Sequence, residues 1–115
     1  MDIWFHLLTL WSRDLRGYKV RVEFTKYFYN KALAVVLTTD KEEPFATLSV
    51  NLEASDFIDK KSAYIDTNNC SWAEKFLQEN NIAEFTGMYG QSGFCTYPCY
   101  DFSKYIKEKG NEIHD

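Results

Sequence analysis

Residues 32–52 read ALAVVLTTDKEEPFATLSVNL, and the fold follows from how this stretch divides. Ala32 to Thr39 is an almost continuous apolar run, the pattern of a central strand covered on both faces. Asp40-Lys41-Glu42-Glu43-Pro44 is polar and closed by a proline, which makes it a hairpin loop. Phe45 to Leu52 then alternates, with Ala46, Leu48, Val50 and Leu52 on one face. Two such strands joined by a short polar loop pair antiparallel.

Upstream the period is also two. Tyr18, Val20, Val22, Phe24 and Phe28 face inward if Lys26 marks an irregularity. Lys19, Arg21, Glu23, Thr25 and Tyr27 then face outward, and Asn30-Lys31 is a short turn, so three strands form a meander. Further upstream, Trp4, Leu7, Leu8, Trp11 and Leu15 fit one face of a helix, with Gly17 at its C′ position. Ile3-Trp4-Phe5 equally begins a strand.

Downstream, residues 53–61 are polar, with Phe57 and Ile58 as an anchor into the core. Ala63 to Ile65 is a short fourth strand. Ser71-Trp72-Ala73-Glu74 matches a capping box and predicts a helix over 72–80, its inward face carrying Trp72, Ala73, Phe76 and Leu77. Glu84 to Thr86 is another short strand, and Gly87, Gly90 and Gly93 punctuate a loop. Phe94 to Phe102 is the last strand, where Pro98 requires an edge or a bulge. These elements predict an α+β domain over 18–102: a mainly antiparallel β-sheet of about five to six strands, one central helix packed on a face, and an N-terminal helix in a 1–17 extension. Residues 103–115 are a charged tail, either a frayed helix around Tyr105 and Ile106 or without order.

With 115 residues there is room for one domain, of about 13 Å radius of gyration. No apolar run reaches membrane-spanning length, and Arg13, Asp14 and Arg16 stand where a signal-peptide cleavage site would be. A cytoplasmic protein is therefore expected, with no membrane partner. The net charge of −4 hides an asymmetry. Residues 1–39 carry a balance of +3, whereas residues 40–66 carry −4 through Asp40, Glu42, Glu43, Glu53, Asp56, Asp59 and Asp66 against three lysines. Such an acidic stretch steers towards basic partners and away from phosphate backbones.

Catalytic patterns are weak. Cys95 and Cys99 in one strand lie about 13 Å apart, too far to share a metal, so no metal or other cofactor is expected. A cysteine or serine nucleophile needs an oriented base, and His6 and His114 sit near the two ends. Asp59 and Asp66 at the ends of one strand resemble a Mg²⁺-holding pair only loosely, and Asp66 equally caps Asn68 or Asn69. The glycine loop at 87–93 lacks the lysine of a phosphate cradle. No catalytic residue is assigned. Lys19, Arg21, Tyr27 and Tyr29 form an alternative face for single-stranded nucleic acid, with cations for phosphates and rings for bases.

Three motifs in order carry a resemblance: PFATLSVNL at 44–52, DTNNCSWAEKF at 66–76 followed by Glu79-Asn80-Asn81, and Thr86-Gly87 with GQSGFCTYP at 90–98. Over Tyr18 to Phe102 the chain resembles a family of small bacterial proteins catalogued as a domain of unknown function and typical of conjugative and other mobile elements. That resemblance brings no catalytic residues. It implies a defence antagonist, most concretely an anti-CRISPR inhibitor that binds the effector nuclease of a type II system and blocks guide-RNA or DNA engagement. The partner-binding residues are then expected in the acidic stretch: Asp40, Glu42, Glu43, Glu53, Asp56 and Asp59.

Overall fold

A computed structural model describes residues 12–13 and 19–109. The expected meander is present as strands β2 (Lys19–Lys26), β3 (Leu33–Thr39) and β4 (Pro44–Thr47). β2 and β3 pair antiparallel from Val20↔Thr39 to Lys26↔Leu33, and β1 (Ser12–Arg13) adds to the outer side of β2. Val20 and Phe24 are fully buried, as their alternation predicts, and so are Val35 and Leu37 of the apolar run. The helix expected in the 1–17 extension lies outside the described residues, apart from Ser12 and Arg13, which are strand.

The stretch 45–52 departs from the single-strand expectation. β4 ends at Thr47, and after Leu48 the chain resumes as β5 (Ser49–Val50), which pairs with β6 (Ser62–Ile65) of a second sheet. Leu48 is the crossing point. Its amide donates to the Val35 carbonyl (2.9 Å), and its carbonyl accepts from the Asp66 amide (2.7 Å). Ser49 completes the change of partner, since its hydroxyl accepts from the Val35 amide (2.9 Å) in place of a backbone carbonyl. One alternating face is thereby divided. Leu48 enters the main core, whereas Val50 and Leu52 enter a smaller one.

The second sheet has the order β5-β6-β8-β7, with β7 at Glu84–Ser92 and β8 at Cys95–Asp101. The described residues thus form two antiparallel four-stranded sheets rather than one sheet of five to six strands. The glycine-punctuated segment is strand rather than loop. Pro98 sits in the interior strand β8 just past the end of the β6–β8 ladder at Tyr64↔Cys99, where its missing amide breaks no pair; separately, the β7–β8 register slips between Phe85 and Tyr89. Gly87 (φ +90°) makes that kink, and the Thr86 hydroxyl donates to the Cys99 carbonyl (3.0 Å). Gly90 is required for another reason: a Cβ there would lie 2.8 Å from the Tyr64 ring.

Helix α1 (Ala73–Glu79) falls where it is predicted, with Ala73, Phe76 and Leu77 buried and the Trp72 ring edge-on to Phe76 at 6.0 Å. Its capping box does not form, because Trp72 takes the N-cap position and makes no side-chain cap bond. Glu74 instead accepts a 2.7 Å bond from the hydroxyl of buried Tyr100, whose pKa is pushed up to about 12, first by burial and then by that carboxylate. Residues 103–109 are no loose tail. They form α2 (Ser103–Lys109), whose Tyr105 and Ile106 are buried against Phe24 and Phe102 in the main core. Burying each such side chain contributes about 1.5–3 kcal/mol. The radius of gyration is 13.2 Å. Among the described residues, no helix is long and apolar enough to cross a membrane.

Candidate functional site

The turn between β2 and β3 and the segment after β5 build one surface. The Tyr27 amide donates to the Ala32 carbonyl (2.8 Å), and Lys31 closes the turn at φ +60°. This loop pulls Phe28 off the strand. Expected inward, Phe28 is 76% exposed, and Tyr29 beside it is 93% exposed. Their rings meet edge to face at 5.4 Å, with Lys31 Nζ 5.6 Å from the Phe28 centroid. Across from the turn, Glu53–Phe57 forms a short 3-10 helix, tied at its start by the Leu52 amide donating to the Ser55 hydroxyl (3.0 Å). Ala54 and Ile58 pack on Leu52, Tyr64, Tyr97 and Cys99 in the smaller core. Phe57 points away from that core and is 87% exposed, so of the expected anchor pair only Ile58 is partly buried.

Asn30 joins the two pieces. Its side-chain amide donates to Asn51 Oδ1 (2.9 Å) and Asp56 Oδ1 (2.8 Å), and its Oδ1 accepts from the Ala32 amide (3.1 Å). Between turn and helix lies a groove of about 380 Å³ lined by Asn30, Lys31, Ser55, Asp56, Asp59 and Lys60. Asp59 is held by accepting from the Lys61 amide (2.9 Å). Three exposed aromatics therefore belong to two segments tied together by hydrogen bonds, beside the exposed carboxylates Glu53, Asp56 and Asp59.

The acidic stretch is split by the fold. Asp40, Glu42 and Glu43 sit at the β3–β4 hairpin, the opposite end of β3 and roughly 20 Å away. There Glu42, at φ +64°, takes both ends of the Arg21 guanidinium, one of them at 2.8 Å. Arg21 Nε donates to Glu23 at 2.7 Å. These bonds raise the Arg21 pKa further and hold the side chain buried against the sheet.

The alternative nucleic-acid face is dispersed as well. Lys19 is exposed at the start of β2, and Arg21 is buried. Tyr27 is partly buried, with its hydroxyl bonded to Ser49 (2.8 Å) and its pKa raised by burial. Tyr29 stands beyond the other end of the strand. Asp59 and Asp66 flank β6 at opposite ends, and Asp66 accepts from the Asn69 amide (3.2 Å) and side chain (2.9 Å). Among the described residues, no three His, Cys, Asp or Glu converge as metal ligands.

Sequence reading missed Phe28, Asn30 and Phe57. The usable signal was local: Phe57 stands between Asp56 and Ile58 in an otherwise polar stretch, where one apolar residue suffices as an anchor. A family model described as Domain of unknown function (DUF4313) matches residues 21–113. The match includes α2, which the expected family boundary at Phe102 left out. No curated protein and no solved structure matches the chain significantly.

Proposed function

The chain belongs to the family described as Domain of unknown function (DUF4313), and from that footing we propose that it is a mobile-element-encoded antagonist of a host defence system. It binds the effector nuclease of a type II CRISPR system and blocks guide-RNA or DNA engagement. The observation that carries this reading is that Phe28 and Tyr29 on the turn and Phe57 on the 3-10 helix, two segments joined through Asn30, are all exposed, as are Glu53, Asp56 and Asp59. Exposed rings that become buried on docking dominate protein–protein affinity. Carboxylates around them steer the surface towards basic channels, which such a nuclease uses to hold its heteroduplex. The mobile-element resemblance of the motifs supplies the class of partner.

The test is a cleavage assay with the protein added before or after guide loading, alongside a low-salt pull-down. Suppressed cleavage that depends on order of addition, with a salt-sensitive complex, is the expected result. Undiminished cleavage with no complex at low salt overturns the proposal. The exposed Phe28–Tyr29 pair beside Lys31 also favours a second reading, stacking on unpaired bases of single-stranded nucleic acid. A gel shift with single-stranded RNA and DNA separates the two.

A further inference from the structure

Sheet edges are open rows of amide and carbonyl groups, and those among the described residues are treated differently. β5 is two residues long, and β4 is four residues long and begins with Pro44. β7 is the outer strand of its sheet, nine residues long, with Glu84 as its one charged residue. Four large apolar side chains stand exposed on the hairpin it forms with β8: Phe85 (41%), Met88 (49%), Tyr89 (62%) and Phe94 (107%).

The hairpin register says which groups of β7 are open. Ser92 and Cys95 flank the two-residue turn Gly93–Phe94, where Gly93 has φ +61°. Pairs alternate from such a turn, so Ser92 and Gly90 exchange hydrogen bonds with β8. The amides and carbonyls of Tyr89 and Gln91 point outward, away from β8.

We propose that β7 is a homodimerisation edge, paired antiparallel with β7 of a second copy about a two-fold axis at Gly90. In that register Tyr89 of one copy opposes Gln91 of the other, and both outward rows are satisfied. The bulge at 86–88 ends the ladder, which then runs over Met88–Ser92. Phe94, at the hairpin tip, lies just beyond the end of that ladder. The same two-fold brings the two β7–β8 hairpins, which carry the four exposed apolar side chains, side by side. The Glu84 carboxylates end on the order of 40 Å apart, so no like charges meet. At the exposures given, these side chains present on the order of 500 Å² per copy. Full burial of these side chains in both copies would reach the roughly 1,000 Å² that a specific interface needs.

Sedimentation of the full chain over a micromolar concentration range, with amide hydrogen exchange, tests this. The expected result is a dimer whose Tyr89 and Gln91 amides gain protection with concentration, while Gly90 and Ser92 are protected throughout. Y89K/Q91K sets like charges opposite each other and weakens association at least about tenfold, whereas Y89K/Q91E sets opposite charges there and restores it. A monomer at every concentration overturns the proposal. So does equal weakening in the two variants, or concentration-independent exchange at Tyr89 and Gln91.

Discussion

The two ends of β3 carry carboxylates from one run of sequence and treat them in opposite ways. At the hairpin end, Glu42 is paired with Arg21, which also holds Glu23. At the turn end, Asp56 is held by a neutral amide, and Glu53, Asp56 and Asp59 stand with three exposed aromatic rings. At the first end the Glu42 charge meets a cation within the molecule and serves the sheet, while Asp40 and Glu43 stay exposed. Charge at the second end keeps its field in solvent, where a partner can meet it. The difference teaches that an acidic stretch is not a surface until the fold says which carboxylates already have a cation.

Four substitutions break or sharpen this contrast. The largest effect is expected from replacing Phe28, Tyr29 and Phe57 together by Ser. Affinity for the effector nuclease falls by more than about 2 kcal/mol, roughly thirtyfold, while the thermal midpoint stays put, as read by calorimetry of binding and unfolding. Second, Arg21→Met leaves Glu23 and Glu42 without their shared cation. Stability falls by about 2 kcal/mol in urea titration with nuclease binding unchanged; a binding loss would move the docking surface to the hairpin. Third, Asn30→Ala uncouples the turn from the 3-10 helix. It costs about 1 kcal/mol of stability and weakens binding, because the rings lose their common frame. Fourth, Glu42→Gly removes the ion pair but relieves a positive φ, so the change in stability stays within about 1 kcal/mol of zero.

Much of the architecture was legible in local pattern. The alternation of Val20, Val22 and Phe24 and the apolar run at β3 identify the meander, and the spacing of Ala73, Phe76 and Leu77 identifies α1. These readings hold because side-chain period and burial are set within a few residues. Pro98 demanded an edge or a bulge, and it is tolerated in an interior strand because the β6–β8 ladder ends at Cys99. Phe28 leaves the strand pattern because the local turn at 27–32 takes it out, whereas two other failures share a different cause. Ser71-x-x-Glu74 and the 45–52 strand are read from neighbours in sequence, but their partners are remote. Tyr100 takes Glu74 from its cap, and Val35 and Ile65 divide the strand at Leu48. Of the candidate site, Tyr29, Glu53, Asp56 and Asp59 were named from sequence, but in two different groups. Their meeting depends on Asn30, whose contacts lie 21 and 26 residues away.

The sequence by itself determined an α+β chain of antiparallel strands with a central helix, and a membership that the family match places at residues 21–113. Periodicity suffices for that, because strand and helix faces repeat over a few residues. Only the tertiary structure decided that there are two sheets, that Arg21 is internal, and that the acids of 40–59 lie at opposite ends of a strand. Those outcomes depend on hydrogen bonds and ion pairs between residues far apart in sequence, and no local pattern encodes which distant group will reach a given side chain first.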